Sequence, residues 1–400
     1  MNRSFREGSI LVPILIFSLM GVGLLFLASK LNEHPITDTK PSEVSDNGEI
    51  KTVEIDSTPM PIDFLKANQV QTNHSLAILR EDSIWVNDIN GQNPMKLISS
   101  DKTGTIFHTI DWSPDGSKLL FSATFGSDKE SNGLFLYDSL AGTIYKIAKF
   151  SSGTWSPQGD RIVIFEKELE SSGLIKIYEP GSNGISLVSP DITQSFSGPL
   201  HWDNNGNIYL KTWNPVTYCR NPTPNCEILE KTKENAVHKI VKINLKEGSV
   251  EDIVTRKLIE GGISDFTIIP QKEKLIFGEN YKKVYEVDLI SDEVTSREYD
   301  NSLNIFEITS SPNGERLFMN DRAGSRSLIV DSNLNETIEF EQDVYGIEDW
   351  YTDREVIARV GDNFYPTDEY VLINLNNLEK NALNISGHSL YGNSIKVRPK

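Results

Sequence analysis

Short apolar runs separated by turn residues fill most of the chain after residue 70. Runs such as Ile162-Val163-Ile164-Phe165 and Val284-Tyr285-Glu286-Val287 are rich in β-branched and aromatic side chains, and several alternate with a period of two. This pattern is typical of half-buried antiparallel strands, and no long stretch of this region has helical periodicity. The sequence therefore predicts an all-β domain.

A short sequence motif, which we call the phrase, repeats between these runs. The clearest copies are Asp111-Trp112-Ser113-Pro114-Asp115-Gly116, Thr154-Trp155-Ser156-Pro157-Gln158-Gly159 and Ser310-Ser311-Pro312-Asn313-Gly314. Proline fixes φ at the first central position of a turn, and Asp, Asn or Gln followed by Gly permits the positive φ that closes it. Each phrase therefore predicts a hairpin between two strands.

The spacing of the phrase predicts the architecture. If Trp112, Trp155, Trp202, Ile268, Ser310 and Trp350 are equivalent, the spacings are 43, 47, 66, 42 and 40 residues. A four-stranded propeller blade needs roughly 40–45 residues, so the pattern favours a β-propeller over a β-sandwich, which rarely repeats its turn chemistry at a fixed period. The residues expected to build the repeated turns are Trp112, Pro114, Gly116, Trp155, Pro157, Gly159, Trp202, Gly206, Pro312, Gly314 and Trp350.

The blade count comes to about seven. Residues 67–99 lack the phrase but contain strand-like runs, and the tail from Ser389 to Val397 looks like a spare strand. Such a strand could complete the first blade and close the ring, which would leave no open end to the array. Six blades remain the alternative if the first blade is incomplete.

The Trp-Ser-Pro-Asp-Gly hairpin followed by an apolar strand resembles the WD-like repeat of the TolB-like propeller family. It is also similar to the propeller domain of dipeptidyl peptidase IV-type enzymes. The resemblance covers roughly residues 67–397 and is specific for the fold rather than for a function. It implies an extracytoplasmic scaffold that binds proteins or ligands, an inference that rests on fold analogy.

The amino terminus predicts a membrane anchor. Residues 9–29 carry no charge and are dominated by Ile, Leu, Val and Phe. As a helix they would be about 31 Å long, enough to cross a bilayer core. Arg3 and Arg6 place residues 1–8 in the cytoplasm and the propeller outside. A cleaved signal peptide is the alternative, but its apolar region is usually shorter and Leu27-Ala28-Ser29 is a poor cleavage site.

Two further segments follow from composition and spacing. Residues 30–65 are polar and poor in aromatics, which predicts a flexible linker before a propeller over residues 66–400. The long spacing reflects an insertion at 213–236, between the second and third strands of its blade. It contains Cys219 and Cys226, the two cysteines of the chain. A disulfide between them would contribute roughly 2.5 kcal/mol, and two unpaired thiols are the alternative.

Charge limits the classes of partner. The formal net charge is −18, and no Lys/Arg stripe that could neutralise phosphates is present, which argues against nucleic-acid binding. Acidic loops predicted opposite the repeated turns raise calcium as a candidate cofactor. Because the whole chain is acidic, solubility is the simpler explanation, and we expect no cofactor.

No catalytic motif stands out. Gly387-His388-Ser389 lacks the context of a nucleophile elbow, and phosphate and dinucleotide loops are absent. We therefore expect a non-enzymatic, signal-anchored, single-pass scaffold of the cytoplasmic membrane. A protein or envelope partner would bind the face that carries the 213–236 insertion, opposite the repeated turns. The alternative is a propeller enzyme or sensor with active groups at the mouth of the central channel.

Overall fold

The computed structural model describes most of the chain after residue 52. The described residues are 53–55, 60–70, 73–80, 82–149, 151–167, 173–181, 185–188, 195–213, 236–279, 282–299, 305–321, 326–340, 344–362, 365–385 and 395–399. By its internal contacts the chain divides into two units, Met1–Asn47 and Gly48–Lys400, and the first of them lies wholly outside these ranges.

Several predicted features also lie outside the described residues. They include the cytoplasmic segment 1–8, the anchor at 9–29, most of the linker, and Cys219 and Cys226. None of the helices within the described ranges combines the length and the apolar character needed to cross a bilayer. The anchor and the disulfide therefore stay predictions.

The described strands are antiparallel and form seven sheets. Three short strands come first: β1 (Val53–Ile55), β2 (Met60–Pro61) and β3 (Leu65–Ala67). Blade 1 contains β4 (Leu76–Arg80), β5 (Ser83–Asn87) and β6 (Met95–Ser100). Blade 2 contains β7 (Thr105–Trp112), β8 (Lys118–Phe125), β9 (Gly133–Asp138) and β10 (Thr143–Ala148). Blade 3 contains β11 (Ser152–Trp155), β12 (Ile162–Lys167), β13 (Gly173–Tyr178) and β14 (Ile185–Val188).

The remaining blades repeat this order. Blade 4 contains β15 (Ser195–Trp202), β16 (Asn207–Trp213), β17 (Val237–Asn244) and β18 (Ser249–Lys257). Blade 5 contains β19 (Ile263–Ile269), β20 (Lys274–Glu279), β21 (Lys283–Asp288) and β22 (Val294–Glu298). Blade 6 contains β23 (Ile305–Ser310), β24 (Arg316–Asp321), β25 (Ser327–Asp331) and β26 (Glu336–Phe340). Blade 7 contains β27 (Val344–Thr352), β28 (Glu355–Asp362), β29 (Tyr365–Asn374) and β30 (Lys380–Leu383), and β31 (Ile395–Val397) ends the chain.

Three one-turn 3-10 helices interrupt the strands, at Lys129–Ser131, Leu258–Glu260 and Pro270–Lys272. The fold is thus a seven-bladed all-β propeller with four strands per blade, as predicted, and the six-bladed alternative is wrong. The first strand of each blade is the inner one. We call the end where the first and second strands are joined the turn face, and the opposite end, where one blade leads to the next, the inter-blade face.

Packing between blades supplies the hydrophobic core. Among the described residues, buried apolar side chains fall into seven clusters, one between each pair of adjacent blades. The second strand of a blade is covered on both faces by the neighbouring blades. In β8, for example, Leu119, Leu120 and Phe121 are all nearly inaccessible. The apolar runs of second strands are therefore continuous, whereas the inner strand β7 alternates.

The carboxyl-terminal strand closes the ring. β31 pairs antiparallel with β4 and becomes the inner strand of blade 1, with Val397 opposite Leu76. Arg398 N–H donates to Ser75 O at 2.7 Å, the bond that Ser113 N–H makes to Lys118 O within the blade 2 turn. Arg398 and Ser75 therefore occupy the positions that Ser113 and Lys118 occupy in blade 2, although no turn joins β31 to β4. The predicted role of the spare strand is confirmed.

The three short strands that precede blade 1 lie on the outside of the ring. β1 pairs with β14, β2 with β10 and β3 with β6, so they add a fifth strand to blades 3, 2 and 1 in turn. Added strands cover outer edges that would otherwise expose unpaired backbone groups. Part of the region whose composition predicts a flexible linker thus lies on the propeller.

Candidate functional site

The repeated turns have one geometry in four blades. Gly116, Gly159, Gly206 and Gly314 have φ between 65° and 82°, the left-handed region that favours glycine. Each glycine N–H donates to the carbonyl three residues earlier. In blades 2, 3 and 6 the serine of the phrase accepts a backbone N–H at its Oγ from the residue five positions on. Pro114, Pro157 and Pro312 occupy the first central position of these turns.

The tryptophans of the phrase link adjacent blades. Trp155 Nε1 donates to Asp111 O at 3.3 Å, Trp202 Nε1 to Thr154 O at 3.4 Å, and Trp350 Nε1 to Thr309 O at 3.4 Å. Each acceptor lies on the inner strand of the preceding blade. Trp112 is equally buried, yet its indole N–H has no acceptor in the described structure. Its equivalent acceptor would be Lys396 O on the closing strand, so the inter-blade bond is missing at the closure.

The residue before each tryptophan position lies on a ring around the channel. In every blade it is paired with the same level of the second strand, as the strand registers show. These ring residues, in blade order from the closing blade, are Lys396, Asp111, Thr154, His201, Thr267, Thr309 and Asp349. The charged members occupy three consecutive positions around the ring, Asp349, Lys396 and Asp111, which we call the charged half. The other four positions are neutral, and we call them the neutral half.

The charged half of the ring is centred on the closing strand. Lys396 Nζ lies 3.8 Å from Asp349 Oδ1, and the Lys396 side chain is about a quarter exposed. Asp349 Oδ2 also accepts the Val397 N–H at 2.9 Å. The Asp349 carboxylate raises the pKa of Lys396 in spite of burial, and Asp111 on the other side acts in the same direction. Lys396 therefore stays charged between two carboxyl groups.

Asp111 has weaker partners than Asp349. Thr154 Oγ1 lies 3.5 Å from Asp111 Oδ2, and a backbone hydrogen bond from Trp155 supplements it. Among the described residues, no lysine or arginine nitrogen comes within 4.0 Å of its carboxylate. Burial raises the pKa of Asp111 to about 6, with Lys396 opposing the shift and Asp349 adding to it. Asp111 is thus a carboxyl that titrates near neutrality.

A cavity of about 580 Å³ lies at the turn-face end of the channel, beside this charged half. Blades 5, 6, 7, 1 and 2 contribute to its wall. Asp111, Asp349 and Lys396 supply charge, and Trp112, Trp350 and Tyr351 supply aromatic surface. Arg398 and Asp353 stand with them in the wall. The volume falls within the usual range of small-ligand sites, and a mainly apolar wall with a few placed charges is typical of them.

Deeper in the channel lies a second layer of ionisable groups. Asp265 Oδ2 accepts the Ile308 N–H at 2.9 Å, and burial raises the pKa of Asp265 to about 7. Glu348 pairs with Arg359, whose Nε donates to Oε1 at 2.9 Å. Lys211 donates to Ser264 O at 2.9 Å, and burial lowers its pKa. The channel interior is therefore polar and hydrogen-bonded below the cavity.

The structure places the residues singled out by sequence in different parts of the molecule. Trp112, Trp350 and Pro312 line the cavity, whereas Trp155 and Trp202 lie between blades away from it. At the inter-blade face β16 ends at Trp213 and β17 begins at Val237, and residues 214–235 between them lie outside the described residues. The cavity lies at the other end. No set of three or more His, Cys, Asp or Glu side chains suited to a metal ion occurs in the described part of the chain.

Sequence reasoning missed Asp111, Asp349 and Lys396 as a group. Both aspartates directly precede a tryptophan of the phrase, and Lys396 precedes Val397 at the matching position of the closing strand. The signal was therefore present as Asp-Trp in two copies. Its meaning depends on the ring, because these residues lie up to 285 positions apart in the sequence and meet only after closure.

Comparisons with known proteins support the fold. No family model matches the sequence, and no curated protein matches it. Among solved structures, an oligogalacturonate lyase from Vibrio parahaemolyticus is similar with a TM-score of 0.55 and 11% identity, over 86% of this chain and 90% of that one. A prolyl endopeptidase is similar with a TM-score of 0.54 and 11% identity, over 88% of this chain and 51% of that one.

TolB from Acinetobacter baumannii is also among the similar structures, with a TM-score of 0.44 and 17% identity, over 67% of this chain and 63% of that one. The β-propeller fold implied by the TolB-like resemblance is confirmed by the seven sheets of the structure. At these identities the likeness defines a class of protein by its fold, the β-propeller. The class includes both enzymes and binding proteins.

Proposed function

We propose that this protein is a non-enzymatic binding module, tethered to the cytoplasmic membrane and facing outward, that takes its ligand in the turn-face cavity. The observation that carries the proposal is the cavity itself. It combines three aromatic side chains with the charged trio Asp111, Asp349 and Lys396 at the end of the channel. Fixed charges in a mainly apolar wall give orientation and specificity to a bound group.

A polypeptide partner is the ligand class that we favour. The cavity opens among hairpin turns, so a loop or chain end of another protein could enter it without displacing a blade. Ser311, Thr352 and Gln271 add polar groups to the wall. Aromatic anchors surrounded by polar groups are typical of protein-binding hot spots.

The membrane tether is supported by sequence alone. Residues 9–29 have the length and composition of a spanning helix, with Arg3 and Arg6 before it. In this arrangement the propeller stands outside the cytoplasmic membrane, where an envelope protein would meet it. A fusion reporter that is active only outside the cytoplasm, attached after Lys400, tests this part of the proposal. An inactive fusion would contradict it.

Crosslinking and pull-down from native membranes tests the binding site. Three full-length forms are compared: the wild type, Tyr351→Ala with Trp350→Phe, and a variant whose 213–236 insertion is replaced by a short Gly-Ser turn. We expect the cavity variant to lose most of the captured partner and the insertion variant to keep it. The reverse result would move the binding site to the inter-blade face. Unchanged recovery in both variants would overturn the proposal.

An enzyme is the second candidate, and one observation favours it. The pKa of Asp111 near 6 suits a group that exchanges protons near neutral pH, and Lys396 could stabilise a developing negative charge. Oligogalacturonate is a reasonable first substrate to try, because a structural neighbour acts on it. We expect no chain shortening beyond that seen with Asp111→Asn. Turnover by the wild type that the variant lacks would favour the enzyme.

A further inference from the structure

We infer that the turn-face cavity recognises a cationic group, an ammonium or guanidinium, and that Asp111 is the carboxylate that receives it. The inference deepens the proposed function and rests on it, since it names the chemistry of the group that enters the cavity. In a polypeptide partner this group would be a lysine or arginine side chain. The argument has three parts: charge balance, open hydrogen-bonding capacity and proton linkage.

The cavity wall contains one more carboxylate than cation, and Asp111 is the carboxylate without a cationic partner in direct contact. The wall contains three carboxylates, Asp111, Asp349 and Asp353, and two cations, Lys396 and Arg398. Lys396 stands closer to Asp349, as the 3.8 Å ion pair shows. Arg398 donates from Nε to Gly116 O at 2.7 Å, and its guanidinium lies over the Trp112 ring. Neither cation neutralises Asp111 by direct contact.

Asp353 does not need an added cation. Its Oδ1 accepts the Asn313 N–H at 2.8 Å, and its backbone carbonyl accepts a bond from Arg316. Asp353 is therefore part of the contact between the turns of blades 6 and 7. Asp111 is left as the carboxylate with room for a new partner.

A second observation concerns an unpaired hydrogen-bond donor beside Asp111. Trp112 lines the cavity with 4% of its surface exposed, and its indole N–H has no acceptor. Its equivalents in blades 3, 4 and 7 all donate to a carbonyl. An unpaired buried donor costs free energy, so it marks a place where an acceptor would be stabilising. The Trp112 Nε1 atom is itself inaccessible, so a ligand carbonyl reaches it only when the indole shifts toward the cavity. A basic residue of a polypeptide offers a cation and a backbone carbonyl together.

The protonation of Asp111 predicts how the affinity for a cation depends on pH. A cation beside Asp111 favours the carboxylate and so lowers its pKa, which means that binding releases a proton at pH values near and below 6. The charged groups that act on Asp111 are Lys396 on β31 and Asp349 on β27. Affinity should therefore rise with pH and level off above pH 7. Between pH 5 and pH 7.5 the expected gain is about tenfold.

Calorimetric titration of the full-length protein in detergent tests the inference. The probes are acetylated, amidated pentapeptides with Lys, Arg, norleucine or Glu flanked by two glycines on each side, with methylammonium as the small-cation control. We expect the Lys and Arg peptides to bind, with proton uptake by the buffer at pH 6, and the norleucine and Glu peptides to fail. Methylammonium should bind much more weakly, because it brings no carbonyl.

Variants separate recognition from folding. Asp111→Asn should weaken the Lys peptide at least tenfold and abolish the pH dependence, and Asp111→Glu should restore part of both. Lys396→Gln should tighten binding, because it removes a competing cation. Asp292→Asn, an exposed carboxylate change in an outer turn of the same face, is the matched control and should change nothing. Thermal melting checks that each variant is folded.

Three outcomes would overturn the inference. They are equal binding of the norleucine and Lys peptides, full affinity in a folded Asp111→Asn variant, and no binding of the Lys or Arg peptide at 10 mM. If the last occurs while the pull-down still depends on the cavity, the cationic ligand is wrong and the binding site stands. If the pull-down is also indifferent to the cavity, the proposed function fails as well.

Discussion

The two halves of the inner ring differ in a way that follows from how the propeller closes. Lys396, Asp111 and Asp349 lie at the closing strand and its two neighbouring blades. Thr154, His201, Thr267 and Thr309 occupy the same ring positions in blades 3, 4, 5 and 6. The same backbone position therefore carries charge in the closing blade and its two neighbours and neutral side chains in the other four blades.

Closure explains part of this difference. Blades 2 to 7 have a direct turn between their inner and second strands, whereas in blade 1 no turn joins β31 to β4. Asp349 stabilises that strand twice, through Lys396 and through the Val397 N–H. The charged half thus stabilises the closing strand in blade 1 and also forms one wall of the cavity. Binding and ring closure share residues, so a ligand in the cavity should stabilise the closed ring.

The largest expected difference between the halves comes from removing Asp349. Asp349→Ala leaves Lys396 beside fewer carboxylates and the Val397 N–H without its acceptor. We expect the free energy of unfolding to fall by about 3 kcal/mol at pH 7.5, since breaking a partly buried pair leaves a charge behind. Thr309→Ala at the equivalent neutral position should cost under about 1 kcal/mol. Urea denaturation measures both, and similar losses would remove the distinction between the halves.

The pH dependence of stability should have opposite signs in the two halves. The folded-state pKa of Asp111 is raised from 3.8 to about 6, so the folded state holds more protons between these values and stability from this group falls as pH rises through the window. Burial lowers the pKa of His201 from 6.5 to about 4, so stability from His201 rises with pH between 4 and 6.5.

The measurement is the unfolding free energy at pH 4, 5, 6 and 7.5. Relative to the wild type, Asp111→Asn should gain about 2 kcal/mol between pH 4 and pH 7.5, and His201→Gln should lose a similar amount over the same range. Parallel curves for wild type and Asp111→Asn would mean that Asp111 is not the buried titrating group.

A third comparison concerns two glycines with the same backbone angle. Gly116 and Gly142 both have φ of 65°. A Cβ on Gly116 would lie 2.5 Å from Pro399 O, just after β31; we call β31 with Arg398 and Pro399 the closing segment. A Cβ on Gly142 would meet nothing within 4 Å. Gly142→Ala should therefore cost about 1 kcal/mol, the strain of the left-handed conformation alone. Gly116→Ala should cost about 2 kcal/mol more, because the closing segment must move.

Hydrogen exchange locates that movement. In Gly116→Ala the amides of β31 and β4 should exchange faster, while those of β19 and β20 on the far side of the ring keep the wild-type rate. Equal costs for the two alanine variants would show that the closing segment yields without strain.

The hairpins were predictable from sequence because their chemistry is local. Proline and glycine specify a turn from within the same few residues, so Pro114 and Gly116 identify the blade 2 hairpin without knowledge of the rest of the fold. The outer strands β1 and β2 were not predictable, since two or three residues show no period. Lys396 and Asp111 meet through closure of the whole ring, which no local pattern encodes. The cavity at the turn face was therefore not predictable from local patterns, which instead predicted a binding surface at the inter-blade face.

The smallest expected difference concerns the tryptophans of the two halves. Trp350→Phe removes the hydrogen bond from its indole to Thr309 O, whereas Trp112→Phe removes a buried donor that has no acceptor. Both changes lose similar apolar volume, and phenylalanine keeps an aromatic ring beside Arg398 in one case and Phe318 in the other, so the hydrogen bond, about 1 kcal/mol, is the main difference. We expect Trp350→Phe to be the more destabilising by that amount in the absence of ligand. If a basic peptide binds the cavity and pairs with the Trp112 indole, the difference should shrink when that peptide is present. A gap that stays constant would show that the ligand leaves the indole unpaired, and its carbonyl would then have no role in recognition.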